Sequence, residues 1–275
     1  MNMKKRAWIY DDAVRGLCLI MASALPVLCG QIINVPGKGI PTIQAAMIAA
    51  RAGDTVLVAN GVYKEKVAVK SGVILKAQSL FGAAIDGDGR GIVVMLAGDA
   101  GIIGLDIRNG TIGVLSRNIG NSIVKCRISG NRESGLSCAG RLPKIQDNLI
   151  AFNSGSGIQG WDVIASNEAI DHNTIAYNAN NGIALGGASS VIIENNIIAF
   201  NERFGLKADD SVKMAANNND FFRNGGMQNG APEKNLALDP KFSEPKGKMD
   251  FSLQQDSPLL PLEIKTGEIG ARFAY

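Results

Sequence analysis

A chain of 275 residues, 46% of them hydrophobic, is long enough to bury a core as one elongated unit and does not require two domains. A formal net charge of +3 at pH 7 is too small to steer the protein to nucleic acid, which excludes that class of partner. Its four cysteines and one histidine form no cluster at metal-ligand spacing, and no glycine loop of the phosphate-cradling type is present.

In chain order, Lys4, Lys5 and Arg6 precede a charge-free run from Gly16 to Cys29. That run is shorter than the roughly 20 residues a membrane-spanning helix needs, so residues 1 to 30 read as a secretory signal peptide. The mature chain, 31 to 275, is then expected to be secreted, periplasmic or at the cell surface, without a membrane span and as a monomer. Taking the four bases and two acids of the leader from the 28 and 25 of the whole chain leaves 24 against 23, a net charge of +1. Cys126 and Cys138 remain, on different sides of a coil by the repeat described next, and are expected as buried, unpaired thiols.

From Pro41 to Ala52 the apolar spacing is helical, with Ile43, Ala46, Met47 and Ala50 on one face and Gly53 in the stop position. This predicts an N-terminal capping helix within a cap of about 31–53. Between Asp54 and Phe222 no helix-length apolar face recurs. Instead an asparagine returns with a glycine and an aliphatic residue four and five places later: Asn109, Asn131, Asn153, Asn178 and Asn201, at spacings of 22, 22, 25 and 23. A second series, Asn148, Asn173, Asn196 and Asn219, runs five residues ahead of it, with Cys126 in the equivalent slot.

A period just over twenty is one supersecondary unit stacked on copies of itself, each burying the face its neighbour exposes. Short alternating runs such as Val191-Ile192-Ile193 and Ile197-Ile198 are strands. The prediction is an all-β solenoid over about 54–224, with about three strands per coil and parallel neighbours about 4.8 Å apart. Asparagine tolerates left-handed backbone and its amide can bond from coil to coil, so the recurring Asn columns read as ladders at strand corners. Beyond Asn224 the repeat decays, and Phe242, Phe251 and Leu253 read as an irregular C-terminal cap, about 225–275, over the open end.

These repeats resemble those of right-handed parallel β-helix proteins of the pectin-lyase-like superfamily, with repeats of the carbohydrate-binding and sugar-hydrolysis type. "IQAAMIAARAGDTVLVANGVY" at 43–63 is similar to the opening of many secreted bacterial members. "DPKFSEPKGKMDFSLQQDSPL" from Asp239 to Leu259, with "EIGA" at 268–271, is similar to their closing segment. The resemblance implies a single-stranded right-handed β-helix and a carbohydrate partner. The superfamily holds lyases, hydrolases, epimerases, esterases and proteins without known chemistry, so fold does not choose among them.

Alternation after each repeat glycine sends Leu136, Ile158, Ile183 and Leu206 inward. Two outward columns follow: Ser137, Gln159, Ala184, Lys207, and Ala139, Trp161, Gly186, Asp209. The small residues between Trp161 and Lys207 predict a trough about 9.6 Å across, two strand spacings, with Gln159, Trp161 and Asp162 as substrate-binding residues. Trp161 also lies where the repeat lengthens, and insertions in solenoids map to one face. "FGLKADDS" at 204–211 is similar to the catalytic segment of alginate (mannuronan) epimerases, but Lys207, Ala208 and Asp209 stand where that pattern has an acid, a proline and a histidine. Without those proton-transfer groups, Lys207, Asp209 and Asp210 read instead as catalytic candidates for lyase-type elimination on an acidic polysaccharide. Ca²⁺ is the ion such carboxylates suit, and the cofactor is otherwise open. His172 aligns with Lys125, Asp147, Asn195 and Asn218 and is expected at a surface corner away from this face. Asp86-Gly87-Asp88-Gly89 reads as a turn. Two functions stay open: an exported protein that binds or modifies an extracellular polysaccharide, and a non-catalytic surface or adhesion scaffold.

Overall fold

The computed structural model describes residues 30–117, 119–164, 168–187, 190–226, 234–261 and 269–273. The leader expected over 1–30 lies, but for Gly30, outside them. The chain winds as a right-handed parallel β-helix of about eight turns, the hand that right-twisted parallel strands impose on their connections. Among the described residues three parallel sheets of nine, eight and seven strands form its walls, and each coil gives one strand to each sheet. One coil runs from Leu149–Ala151 in the eight-stranded sheet to Ile158–Ile164 in the seven-stranded and Ala169–Asp171 in the nine-stranded.

Inward positions repeat from coil to coil. Ile107, Ile128, Ile150, Ile175, Ile198 and Phe221 stand in register on the eight-stranded sheet, and all are buried. Val114, Leu136, Ile158, Ile183 and Leu206 do the same on the seven-stranded sheet. β-Branched and leucine side chains suit this arrangement, because each fills the pleat left by the same residue one coil away. The helix Ile43–Ala49 closes the N-terminal end with Ile43, Ala46 and Met47 buried, its first turn capped by Thr42. It ends at Ala49 with Ala50 as its C-cap, short of the expected Gly53.

Both asparagine ladders form. In one, Asn131, Asn153, Asn178 and Asn201 each donate through backbone N–H and side-chain amide to the Oδ1 of the next rung, ending at Asn224. In the other, Cys126 N–H donates to Asn148, and the series runs through Asn173, Asn196 and Asn219 to Asn235. The residue before each rung from Cys126 to Asn224 is left-handed, at φ 56° for Asp147, 52° for His172 and 54° for Tyr177. That conformation costs a non-glycine residue of the order of 1 kcal/mol, and the buried amide bonds of the following rung offset it.

Asn109 is not a rung. From Arg108 to Gly113 is five positions, whereas the matching interval from Ser129 to Gly135 is six, so Gly110 takes the ladder place and donates its N–H to Asn131 Oδ1 at 2.9 Å. Asn109 is pushed outward at φ 55°, and its amide donates to Asp86 at 2.9 Å.

The C-terminal segment departs from the expected end cap. Residues 234–238 extend the last coil through Asn235 and the bridge of Leu236 to Asp220. The described tail then turns back along the side of the solenoid, where Phe242, Phe251, Leu259 and Ile269 cover the outer face of the eight-stranded sheet at Leu149, Ala151, Ala176, Ile197 and Ala199. That face accepts it because the left-handed corner carries a stack of rings, Phe152 to Tyr177 at 5.2 Å and Tyr177 to Phe200 at 4.8 Å. These apolar residues point outward and need a second layer.

Cys126 and Cys138 are buried and unpaired, and burial pushes both thiols up to about 12. A thiol that high carries almost no thiolate at neutral pH. Peptide-level mass analysis after native treatment with a maleimide is expected to find both unmodified, and both labelled once urea unfolds the chain.

Candidate functional site

The seven-stranded sheet aligns the outward residues as the repeat requires. Ser137, Gln159, Ala184 and Lys207 occupy one column on successive strands, and Ala139 pairs with Trp161. Trp161 is 57% exposed, on Ile158–Ile164, the longest strand of the described residues at seven. Asp162 beside it is exposed at φ 47°, where the strand bends out of register with its neighbour.

The two sides of Trp161 differ. Toward Lys207, Ala184 is buried, and a Cβ on Gly186 would lie 2.7 Å from Asp209 Oδ2, so the Asp209 carboxylate lies across the place where the trough was expected. Lys207 is half-buried, while Asp209 and Asp210 are exposed at the turn that leads to Val212. Toward the N-terminal coils a cleft of about 420 Å³ opens. Ile92, Ile112 and Leu115 line it with Ser134, Ser137, Ala139 and the Trp161 indole, and Arg117 and Glu133 are its charged groups. Leu115 and Met95 belong to the Ser137 column. Continuing that column one coil toward the N-terminus reaches Leu115, one residue of the apolar floor; Ile92 and Ile112 pair in a separate column.

Chemically, the cleft offers an aromatic face, an apolar floor, two hydroxyls and one charge of each sign. That is a surface for stacking and orienting a ring that carries hydroxyl groups. No group of three or more His, Cys, Asp or Glu among the described residues is placed to hold a metal ion. Ca²⁺ takes six to eight oxygen ligands, and among the described residues no third carboxylate joins Asp209 and Asp210.

His172 lies elsewhere and is not at the surface. Residues 269–273 cross its corner: Gly270 N–H donates to Asn195 O, Ala271 N–H to Thr174 Oγ1, and the Arg272 guanidinium to both oxygens of Asp147 at 2.7 and 3.1 Å. His172 is 8% exposed, with Nδ1 2.6 Å from Asp171 Oδ1. Burial works to raise the Asp171 carboxyl, but hydrogen bonds from His172 and Asn195 and the charges of His172 and Arg272 hold it below its ordinary range. The corner is a structural joint in which the described tail covers the histidine.

Three stacked parallel sheets with coil-to-coil asparagine ladders define the class as a right-handed parallel β-helix. Residues 82–234 match the family described as right-handed β-helix region, and the chain belongs to that family. A mannuronic acid specific polysaccharide family 6 lyase from human gut microbiota superposes with a TM-score of 0.53 at 16% identity, covering 71% of this chain and 55% of that one. The chain thus spans about half the length of that lyase. A pectate lyase superposes with a TM-score of 0.52 at 14% identity, covering 85% of this chain and 92% of that one. At such identities the likeness is one of fold. No curated protein sequence matches the chain.

Proposed function

We propose that this protein is exported and binds or modifies an extracellular polysaccharide along its seven-stranded sheet, with Trp161 as the stacking platform. The observation that carries this reading is the exposed indole standing against an apolar-floored cleft of about 420 Å³. A tryptophan left open to water on a rigid strand costs exposure of apolar area, and a pyranose face covers it. The fold shared with two polysaccharide lyases agrees with a glycan partner. If the protein is catalytic, the reaction is elimination on an acidic glycan, with Lys207, Asp209 and Asp210 as the candidate groups. A second reading, a non-catalytic cell-surface or adhesion scaffold, is favoured by the cleft itself, whose charged lining is Arg117 and Glu133, with Lys207 two strands beyond Trp161.

Trp161→Ala is expected to weaken glycan binding about tenfold or more, with the melting temperature unchanged, because the side chain packs outside the core. Lys207→Ala is expected to weaken acidic glycans and spare neutral ones. Titration calorimetry over a panel of polyuronates and neutral glycans measures both, and ultraviolet absorbance of unsaturated product in the same panel separates lyase from scaffold. Equal binding by wild type and Trp161→Ala would refute the placement of the site.

A further inference from the structure

A second pocket, of about 310 Å³, opens at the corner between the eight- and seven-stranded sheets. It exists because the left-handed corner column changes character along the solenoid. In the C-terminal coils that column carries Phe152, Tyr177 and Phe200 beneath the tail, but in the next two coils toward the N-terminus it carries Gly130 and then Asn109. The displacement of Asn109 by the shortened turn, with Gly89, Gly110 and Gly130 in the lining, leaves backbone where other corners carry rings.

The polar groups around this space are unequally engaged. Asp86 is largely engaged: it accepts from Arg108 Nε, Asn109 Nδ2 and the backbone N–H of Asp88 at 3.2, 2.9 and 3.0 Å. Its bond to Asn109 directs that side chain's carbonyl oxygen over Gly130, where a Cβ would lie 3.6 Å from it. Lys64 meets Asp88 at 3.5 Å with both side chains largely in water, a contact worth little and easily exchanged. Arg132 lies over Gly89, where a Cβ would come within 3.1 Å of its Nη2, and it makes no ion pair with any described residue. A glycine-lined pocket with a guanidinium, an ammonium and a directed amide oxygen suits a group carrying one carboxylate and adjacent hydroxyls.

The pocket also adjoins the tryptophan cleft, since Arg132 directly precedes Glu133 and Ser134 of that cleft's lining. From the strand of Trp161 to the strand after Lys64 is four strand spacings, about 19 Å along the axis. We propose that this corner pocket is a second subsite that takes the carboxylate of a uronic acid residue, through Arg132 and Lys64, in a glycan anchored on Trp161 and running toward the N-terminal coils. The inference rests on the polysaccharide reading above and adds to it the direction of the chain and the position of charge recognition.

The test compares oligomannuronate and oligogalacturonate long enough to span about 19 Å with the same oligomers reduced at their carboxyl groups. By titration calorimetry, Arg132→Ala is expected to lower affinity for an acidic oligomer about tenfold and to leave the reduced one unchanged, with Arg132→Lys intermediate because it keeps the charge and loses the bidentate fork. Lys64→Ala should act in the same direction and more weakly, whereas Trp161→Ala should weaken acidic and reduced oligomers alike. If Trp161→Ala weakens both while Arg132→Ala weakens neither, or both equally, the subsite is wrong and the polysaccharide reading stands. If no oligomer binds the wild-type protein, the reading and the subsite fall together.

Discussion

Stability is expected to fall as pH rises from about 4 to 7, and Asp220→Asn to flatten that slope. Asp220 occupies an outward position of the eight-stranded sheet, in register with Ile197, yet it is wholly buried because the tail lies over it. Leu238 N–H donates to its Oδ1 at 2.8 Å, while Oδ2 is buried without a hydrogen bond. Burial pushes its carboxyl up to about 7 against the ordinary 3.8; the Leu238 bond opposes that shift and the Asp239 carboxylate adds to it. The neighbouring residues, Ile197 on the adjacent strand and Leu236 and Leu238 in the tail, bring no compensating cation.

A folded-state value above the unfolded one means that the native chain holds a proton the unfolded chain has lost. The stabilisation is complete below 3.8 and is lost as pH rises through about 7, a change on the order of 4 kcal/mol at most. Asp86 and Asp171, held below 3.8, act in the opposite sense and lose their contribution only in acid. Between about 5 and 7 those two carboxyls no longer titrate, but His172 can also change charge there, so the difference between wild type and Asp220→Asn reports Asp220. Urea unfolding of both proteins at closely spaced pH values measures the slopes, and equal slopes for wild type and Asp220→Asn would show that the carboxyl is ionised and solvated. The loss should begin locally, so trypsin cleavage within residues 234–261 should speed up at the alkaline end before the coils unfold.

The second large effect is expected from Asn173→Ala, which should cost on the order of 3 to 6 kcal/mol. The Asn173 amide donates to Ile145 O, Asp171 O and Asn196 Oδ1 at 2.9, 3.0 and 3.0 Å. Its Oδ1 accepts from the backbone and side-chain nitrogens of Asn148 at 2.9 and 3.0 Å. Alanine leaves those buried donors and acceptors without partners and puts no water in their place, which is the costly way to lose a hydrogen bond. Asn109→Ala is the internal control. It removes one partly buried bond to Asp86 outside the ladder and is expected to cost about 1 kcal/mol. Equal losses for the two variants, measured by urea unfolding at one pH, would mean that the ladder contributes no more than an ordinary surface amide.

The contrast between these two asparagines also marks what a linear pattern conveys. Asn173 and Asn109 recur with the same period, but a rung is defined by counting from the strand before it, and the turn at Asn109 is one residue short. The trough toward Lys207 suffered from a related limit. The columns Gln159, Ala184, Lys207 and Ala139, Trp161 form as the alternation requires, because side-chain direction along a strand is local. That Asp209 lies across Gly186 while the opposite side of Trp161 stays open depends on how two neighbouring turns bend, and alternation carries no information about turns.

The sequence by itself determined the β-helix: each coil contacts chiefly its copies, so a period near 23, an inward aliphatic column and a corner asparagine specify strand, register and stacking direction from short-range regularity. Only the tertiary structure decided where the tail goes. Its contacts to Thr174 and Asp147 join residues 97 and 125 positions apart, at no multiple of a repeat, and they turn an expected end plug into a strap along one wall. That strap covers His172, and residues 234–238 ahead of it cover Asp220, both at outward places in the repeat. The physical reason is that burial at an outward position is set by whatever second layer covers the sheet, and that layer comes from a segment with no periodicity to announce where it will dock.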